Sequence, residues 1–564
     1  MNLALWLNTV WMWKCAGEAR AFFRASRHVA QAQADVLVQI LHRGRATDFG
    51  RAHGFCHIHG PRDYQQHVPL SCYEDYAASV RRIAAGETGI LTADPVELLE
   101  PTSGTTQGEK LIPCTGSLRR QFQRAVAVWV YDLFRHRPAL RHGRAYWSIS
   151  PALGPRRYSS AGIPIGFEDD AAYLGAVDRF ALSRLVAVPS AIACLDDMET
   201  FRYCTLLRLL ATSDLTLISV WNPTFLTVLL GPLENWHERL CFDLAHGQLS
   251  APVPLPPSLA HRLALRDPDR AAKLAAVFRS GLSWPEKLQR LWPRLALISC
   301  WGDAAAARSL PVLRGLFPDV EIQPKGLLAT EGCVSFPLLG RAAPALAVRS
   351  HFFEFQESQS RNDRSACRLA HELDLGGRYF VVLTTAGGLY RYQLRDEVEV
   401  VGFENECPLL RFLGKADLIS DLVGEKLAEP HVRAVLDRLF AEHDLTPPFA
   451  MVVPINDRPP HYRLYLQAQA QDRDFTWPGF EADLEAGLQE NPYYRYAIRL
   501  GQLARIDVEV LDPLGEPGWL IYERACMARG QRAGNIKPAA LDPGLGWAEA
   551  FGSRRGRSVF VNRS

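Results

Sequence analysis

Leu3, Trp6, Leu7, Val10 and Trp13 recur at helical spacing, which predicts an amphipathic helix packed by that face against the body of the protein. Ala-rich spacing with Arg or His on one side carries the helical reading through residues 16–45. Another helix is predicted over 115–138, where Leu118 through Phe134 are spaced for one buried face. Short apolar runs then alternate with helical segments. Leu215–Val220 and Leu295–Cys300 read as buried strands, and Ala271–Phe278 and Ala304–Phe317 as helices. Such alternation predicts α/β layering.

From Leu409 the pattern changes. Residues 425–440 read as a helix, Phe449–Val453 as a strand, and His461–Gln467 as a strand in which Tyr462, Leu464 and Leu466 alternate with polar partners. Asp457-Arg458-Pro459-Pro460 makes the turn between the two strands. Asp474–Leu488 is helix-like and Arg505–Leu511 strand-like. A second, smaller α+β domain over 416–564 follows from this, after a large α/β domain of layered sheets and helices over 1–415. Residues 251–257, Ala-Pro-Val-Pro-Leu-Pro-Pro, read as a surface connector.

Composition narrows the function classes. With 564 residues, 48% of them hydrophobic, the chain can bury more than one core. Its 63 basic and 61 acidic residues leave a net charge of +2, which gives no electrostatic footprint for nucleic acid or an anionic membrane. Twelve cysteines occur singly, without a Cys-x-x-Cys pair, so neither a structural zinc nor a disulfide framework is expected and a cytoplasmic setting is. Cys114 and Cys333 read as buried packing groups. The apolar start of the chain has no basic n-region, is interrupted by Asn8 and Thr9, and is too short to span a bilayer. A monomer without a membrane span is expected.

The chemistry concentrates in Thr102-Ser103-Gly104-Thr105-Thr106-Gln107-Gly108-Glu109-Lys110. Glycines let the backbone approach a ligand closely. Ser103, Thr105 and Thr106 suit phosphate oxygens, and Lys110 supplies countercharge. The spacing is not that of a Walker A loop, since three residues separate Gly104 from Gly108 and Glu109 precedes Lys110. No Gly-x-Ser-x-Gly elbow is present.

This segment resembles the adenylate-forming signature Ser-Gly-Thr-Thr-x-Gly-x-x-Lys, with Lys110 one position early. Thr47-Asp48-Phe49-Gly50-Arg51, Val68-Pro69-Leu70 followed by Tyr73-Glu74-Asp75, and Val220-Trp221-Asn222-Pro223-Thr224 are similar to the auxin-responsive acyl acid amido synthetases. So are His351-Phe352-Phe353-Glu354-Phe355 and Gly388-Leu389-Tyr390-Arg391-Tyr392. The resemblance implies a large body with a small C-terminal domain that rotates during catalysis, and a ligase that uses ATP and Mg²⁺. A carboxylic acid becomes an acyl-adenylate and the acyl group passes to an amino acid or another amine. A CoA ligase shares the first half-reaction and is the alternative. A catalytically silent nucleotide- or acid-binding sensor is the alternative of another class.

Site roles follow from the resemblance. Thr330 meets the α-phosphate and Glu331 helps hold Mg²⁺, with Leu327 where an aromatic usually stacks on adenine. Asp396 accepts the ribose hydroxyls from the end of a strand, and Arg395 stands where a glycine is usual. Lys415 lies at the nucleotide side of a hinge at Lys415 to Asp417. Lys537, or else Lys426 on a helix, is the catalytic lysine of the C-terminal domain. Trp221, Asn222, Phe225 and Val186 to Pro189 are expected walls of the acid pocket.

Overall fold

A computed structural model of the chain describes residues 3–102, 110–148, 157–166, 184–195, 197–221, 223–303, 310–357, 367–415, 419–445, 447, 449–467, 479–512, 516, 518, 521–522, 524–525, 540–544 and 546–552. Two compact units emerge, one formed by Met1–Thr102 and Lys110–Ala416, the other by the C-terminal residues from Asp417.

In the first unit, Arg144–Trp147, Leu215–Ser219, Leu297–Cys300 and Glu321–Pro324 form a four-stranded parallel sheet in that spatial order. Leu215–Ser219 and Leu297–Cys300 are buried along their whole length, as continuous apolar runs in a parallel sheet require. An antiparallel sheet of seven strands runs in the order Ser335–Phe336, Ala345–Leu346, Cys407–Lys415, Tyr392–Glu404, Arg378–Thr384, Phe352–Glu357 and Cys367–Leu369. A third sheet pairs Val96–Thr102 with Lys110–Thr115, antiparallel, so the two strands flanking the glycine-rich segment lie side by side. Thr115 caps the helix Gly116–His136 by accepting from the Leu118 amide, which fixes the direction in which the chain leaves that strand.

The first helix forms but buries a different face from the one its apolar spacing predicts. Leu3–Ala25 packs against Gly116–His136 through Ala4, Asn8, Met12, Cys15, Ala16 and Ala19, while Leu3, Trp6 and Trp13 are 55%, 52% and 69% exposed. Two physical reasons decide this. Alanines allow close helix approach, and Asn8 Nδ2 donates to the carbonyls of Arg141 (3.1 Å) and Gly143 (3.0 Å), so burying the polar residue is favourable. The helical stretch is also broken, ending at Ala25 and resuming as Val29–Gly44.

The second unit has its own core around Leu436, Val452, Leu464, Leu484 and Tyr494. Phe449–Ile455 and His461–Gln467 form an antiparallel hairpin, with Asp507–Leu511 parallel to the latter. Helices Glu429–Glu442, Phe480–Leu488 and Pro492–Arg499 complete it. Among the described residues no helix is long and apolar enough to cross a membrane.

Candidate active site

Thr330 and Glu331 are the two-residue tip of a small β-hairpin, between Leu328–Ala329 and Gly332–Cys333. Its floor is a buried histidine. The Cys333 amide donates to His351 Nε2 (3.1 Å), and His351 Nδ1 donates to Gln121 Oε1 (3.1 Å), which also accepts from the Ala386 amide (2.9 Å). Gly332 is required here, because a Cβ would lie 2.8 Å from Leu383 and 2.9 Å from His351 Nε2. Gln121 sits on the helix that begins just after Lys110–Thr115, so one chain of hydrogen bonds ties the Glu331 hairpin to the element carrying Lys110. Complete burial, with the charge of Arg124 adding to it, lowers the His351 pKa to about 3. The unfolded chain protonates this residue near pH ~6.5, so the folded state gives its full stability above that value and loses it as pH falls toward 3. His351→Gln can keep both hydrogen bonds without titrating. It should flatten the acid limb of a urea-unfolding series by up to about 1.4 kcal/mol per pH unit. An acid limb as steep as in the parent protein would refute the buried neutral histidine.

A second group gathers around Glu74. Ser71 runs as a short bridge beside Tyr392, its amide donating to Arg391 O (3.0 Å) and its carbonyl accepting from Gln393 N (2.9 Å). This brings the next helix, Tyr73–Ala84, to the site by its first turn. The Tyr73 hydroxyl accepts from the Leu111 amide (2.8 Å), and Lys110 Nζ lies 3.8 Å from Glu74 Oε1 and 5.4 Å from the Tyr73 ring centroid. Burial pushes the Glu74 carboxyl up, but hydrogen bonds from its own amide and Cys72, with the charges of Lys110 and Arg395, hold it below the usual carboxylate range. The Tyr392 hydroxyl is raised well above its ordinary value by burial and by the negative charges of Glu331 and Glu74. Lys110, Glu74, Tyr392, Glu331 and Arg395 therefore form one electrostatic neighbourhood. Glu74 belongs to a quoted motif, yet no functional role was expected of it; the acid at the N-terminal turn of a helix explains itself as a helix-end residue.

The segment is braced from below. Arg391, at φ 48°, donates through Nε to both Glu354 carboxylate oxygens (3.1 and 3.0 Å) and through Nη1 to the carbonyls of Gln65 (3.0 Å) and Val68 (2.8 Å). The strand starts at Tyr392, and Asp396 lies inside its thirteen residues rather than at its end. Ahead of it, Arg391 turns inward to its carboxylate. Asp396 is buried and is the register partner of Lys415. Arg395 has φ 59°, the left-handed conformation natural to glycine, so the turn survives without one. Leu327 packs half-buried against the apolar core.

Trp221 lies with its ring 5.8 Å from that of Trp301, and Phe225 is buried in the helix Pro223–Leu230. Val186 bridges to Ala145 beside the parallel sheet. Lys426 is not on a helix. It occupies a turn at φ 45°, ahead of Glu429–Glu442, because the buried Glu425 carboxylate accepts from the amides of Leu422 and Val423 (both 2.8 Å) and from the Tyr462 hydroxyl. Ser103, Thr105, Thr106, Asn222, Asp417 and Lys537 lie outside the described residues. Cys114 and Cys333 are buried, and burial pushes both thiols up to about 12.

A model of the GH3 family N-terminal domain matches residues 18–322, and one of the GH3 family central domain matches 345–415. An Arabidopsis thaliana indole-3-acetic acid-amido synthetase, GH3.15, is 26% identical over 485 residues, 79% of either chain. A probable indole-3-acetic acid-amido synthetase, GH3.7, from Oryza sativa subsp. japonica is 28% identical over 451 residues, 72% of either chain. Among solved structures, a GH3.15 acyl acid amido synthetase superposes with a TM-score of 0.62 at 21% identity, covering 95% of both chains. The same enzyme in complex with 2,4-DB gives 0.65 at 20% identity.

Proposed function

The chain belongs to the GH3 family, and from that premise we propose that it activates a carboxylic acid with ATP and passes the acyl group to an amino acid or another amine. A carboxylate oxygen attacks the α-phosphorus, the bond to pyrophosphate breaks, and the acyl-adenylate forms. The amine nitrogen then attacks the acyl carbon, AMP departs, and the nitrogen gives up a proton. The observation that carries this reading is Glu331 at a hairpin tip, its charge felt at the buried Tyr392 hydroxyl together with that of Glu74, which pairs with Lys110.

The residues suit the substrate. Lys110, its side chain 19% exposed, meets the phosphates as a point charge, with Ser103, Thr105 and Thr106 before it in the chain. Thr330 faces the α-phosphate, and Asp396 with Lys415 serves the ribose side. Glu331 offers the hard oxygen that Mg²⁺ prefers, and Mg²⁺ when bound neutralises phosphate charge. Lys537 and Lys426, both in the C-terminal unit, are assigned to the adenylation step, and Trp221, Asn222 and Phe225 to the acid. We place the protein in the cytoplasm as a monomer that works without nucleic acid; the twelve dispersed cysteines and the near-zero net charge support this.

Labelled pyrophosphate should exchange into ATP only when a suitable carboxylic acid is present. Tight ATP binding without exchange across a broad acid panel would favour a silent sensor.

A further inference from the structure

A cavity of about 380 Å³ opens where the helices Leu3–Ala25 and Gly116–His136 meet the loop between the strands Ser335–Phe336 and Ala345–Leu346. Small-molecule sites span roughly 300–1,000 Å³, so its size suits a ligand. Phe23, Leu338 and Leu339 give it an apolar wall, and Arg20, Arg135 and Arg341 bring three guanidinium groups to it. The loop is fixed by Asp132, which is 3% exposed. Its Oδ2 accepts from the Leu339 amide (3.0 Å) and its Oδ1 from His136 Nδ1 (3.0 Å).

The polar groups of the lining divide into those already used and those left over. Asp132, the carboxylate of the lining, spends one oxygen on the loop and the other on His136. Arg341 is paired with Glu404. Arg20 donates its Nε to the Ala16 carbonyl of its own helix (3.2 Å), and no ion pair holds its terminal nitrogens among the described residues. Arg135 and the Tyr131 hydroxyl, which also line the cavity, have no hydrogen-bond or ion-pair partner among the described residues. Two guanidinium forks and a phenol O–H therefore stand ready beside an apolar wall. The lining stays net positive after Asp132 and Glu404 are counted, and the end of the helix Gly116–His136 adds only about half a negative charge.

A carboxylate brings two oxygens and one charge, which suits a single fork. A phosphate monoester brings three oxygens and close to two charges, which matches two forks and a hydroxyl. We propose that this cavity is a second ligand site, separate from the group around Lys110 and Glu331, and that it takes a phosphorylated small organic molecule. The phosphate meets Arg20, Arg135 and Tyr131, and the organic body lies against Phe23 and Leu338. Gln121, through which the Glu331 hairpin is braced, is about 16 Å from Asp132 along their shared helix. The two sites can thus be filled together.

Isothermal titration of the full chain with phenyl phosphate, inorganic phosphate and benzoate tests this. Phenyl phosphate should bind one to one and about tenfold or more tighter than the other two, since inorganic phosphate lacks the apolar body and benzoate the second charge. Arg20→Gln combined with Arg135→Gln should weaken it by about tenfold or more. Both arginines are exposed, so this double variant should keep the Tm of the parent protein. Lys110→Met, which removes countercharge from the other site, should leave the Kd within about twofold. Absence of binding up to about 10 mM phenyl phosphate overturns the proposal. So does binding that is lost in Lys110→Met and kept in the double arginine variant, and so does benzoate binding as tightly as phenyl phosphate. None of these results bears on acid ligation, so the two readings fail separately.

Discussion

Arg391→Met is expected to destabilise the first unit by about 3–5 kcal/mol, the cost of leaving one member of a buried ion pair alone. Arg391 and Glu354 have side chains only 4% and 1% exposed, and Gln65 Nε2 adds a third donor to the carboxylate at 2.9 Å. Removing the guanidinium strands Glu354 and frees the carbonyls of Gln65 and Val68, which it now holds. Methionine keeps the volume and meets the same left-handed backbone, so strain at φ 48° is common to both proteins and cancels. Urea unfolding followed by tryptophan emission measures the loss. The double variant Arg391→Met, Glu354→Leu should recover much of it, since removing both charges avoids the buried unpaired one. A single-variant loss below about 1 kcal/mol, the range of an exposed pair, would show that the pair is solvated.

Glu331→Gln should slow acid-dependent pyrophosphate exchange on the order of 100-fold, and raise the Mg²⁺ concentration needed for half-maximal rate. Glutamine keeps the size and shape of the side chain at the hairpin tip, so only the charge goes. With one negative charge fewer near Tyr392, the hydroxyl should also titrate at lower pH than in the parent protein, because Glu331 is among the groups that raise it. An exchange rate within about threefold of the parent, at every Mg²⁺ concentration, would remove Glu331 from the metal role.

The residues explain what could be read in advance. Thr330 and Glu331 were singled out because a strand-like run precedes them and their order follows the adenylate-forming signature; the structure sets them at the tip of a small hairpin. His351 was not, although its motif was visible. Its work is done through Cys333 and Gln121, 18 and 230 residues away in sequence, and no local pattern carries such contacts. Glu74, in the first turn of a helix, was hidden the same way, since its partner Lys110 arrives from the strand Lys110–Thr115. Periodicity misjudged the first helix because it counts Asn8 as a polar interruption, whereas two backbone carbonyls make its burial favourable. At Arg395 the backbone takes the left-handed conformation natural to the glycine that the signature expects there.

The central claim, activation of an acid through its adenylate followed by amide formation, is tested most directly by isotope and product together. The protein is incubated with ATP, Mg²⁺, an acid labelled with ¹⁸O in its carboxyl group, a mixture of amino acids, and CoA, and the products are resolved by mass spectrometry. The account predicts an amide of the acid and AMP carrying one ¹⁸O from the carboxylate. Release of ADP, AMP without label, or an acyl-CoA thioester in place of the amide would contradict it.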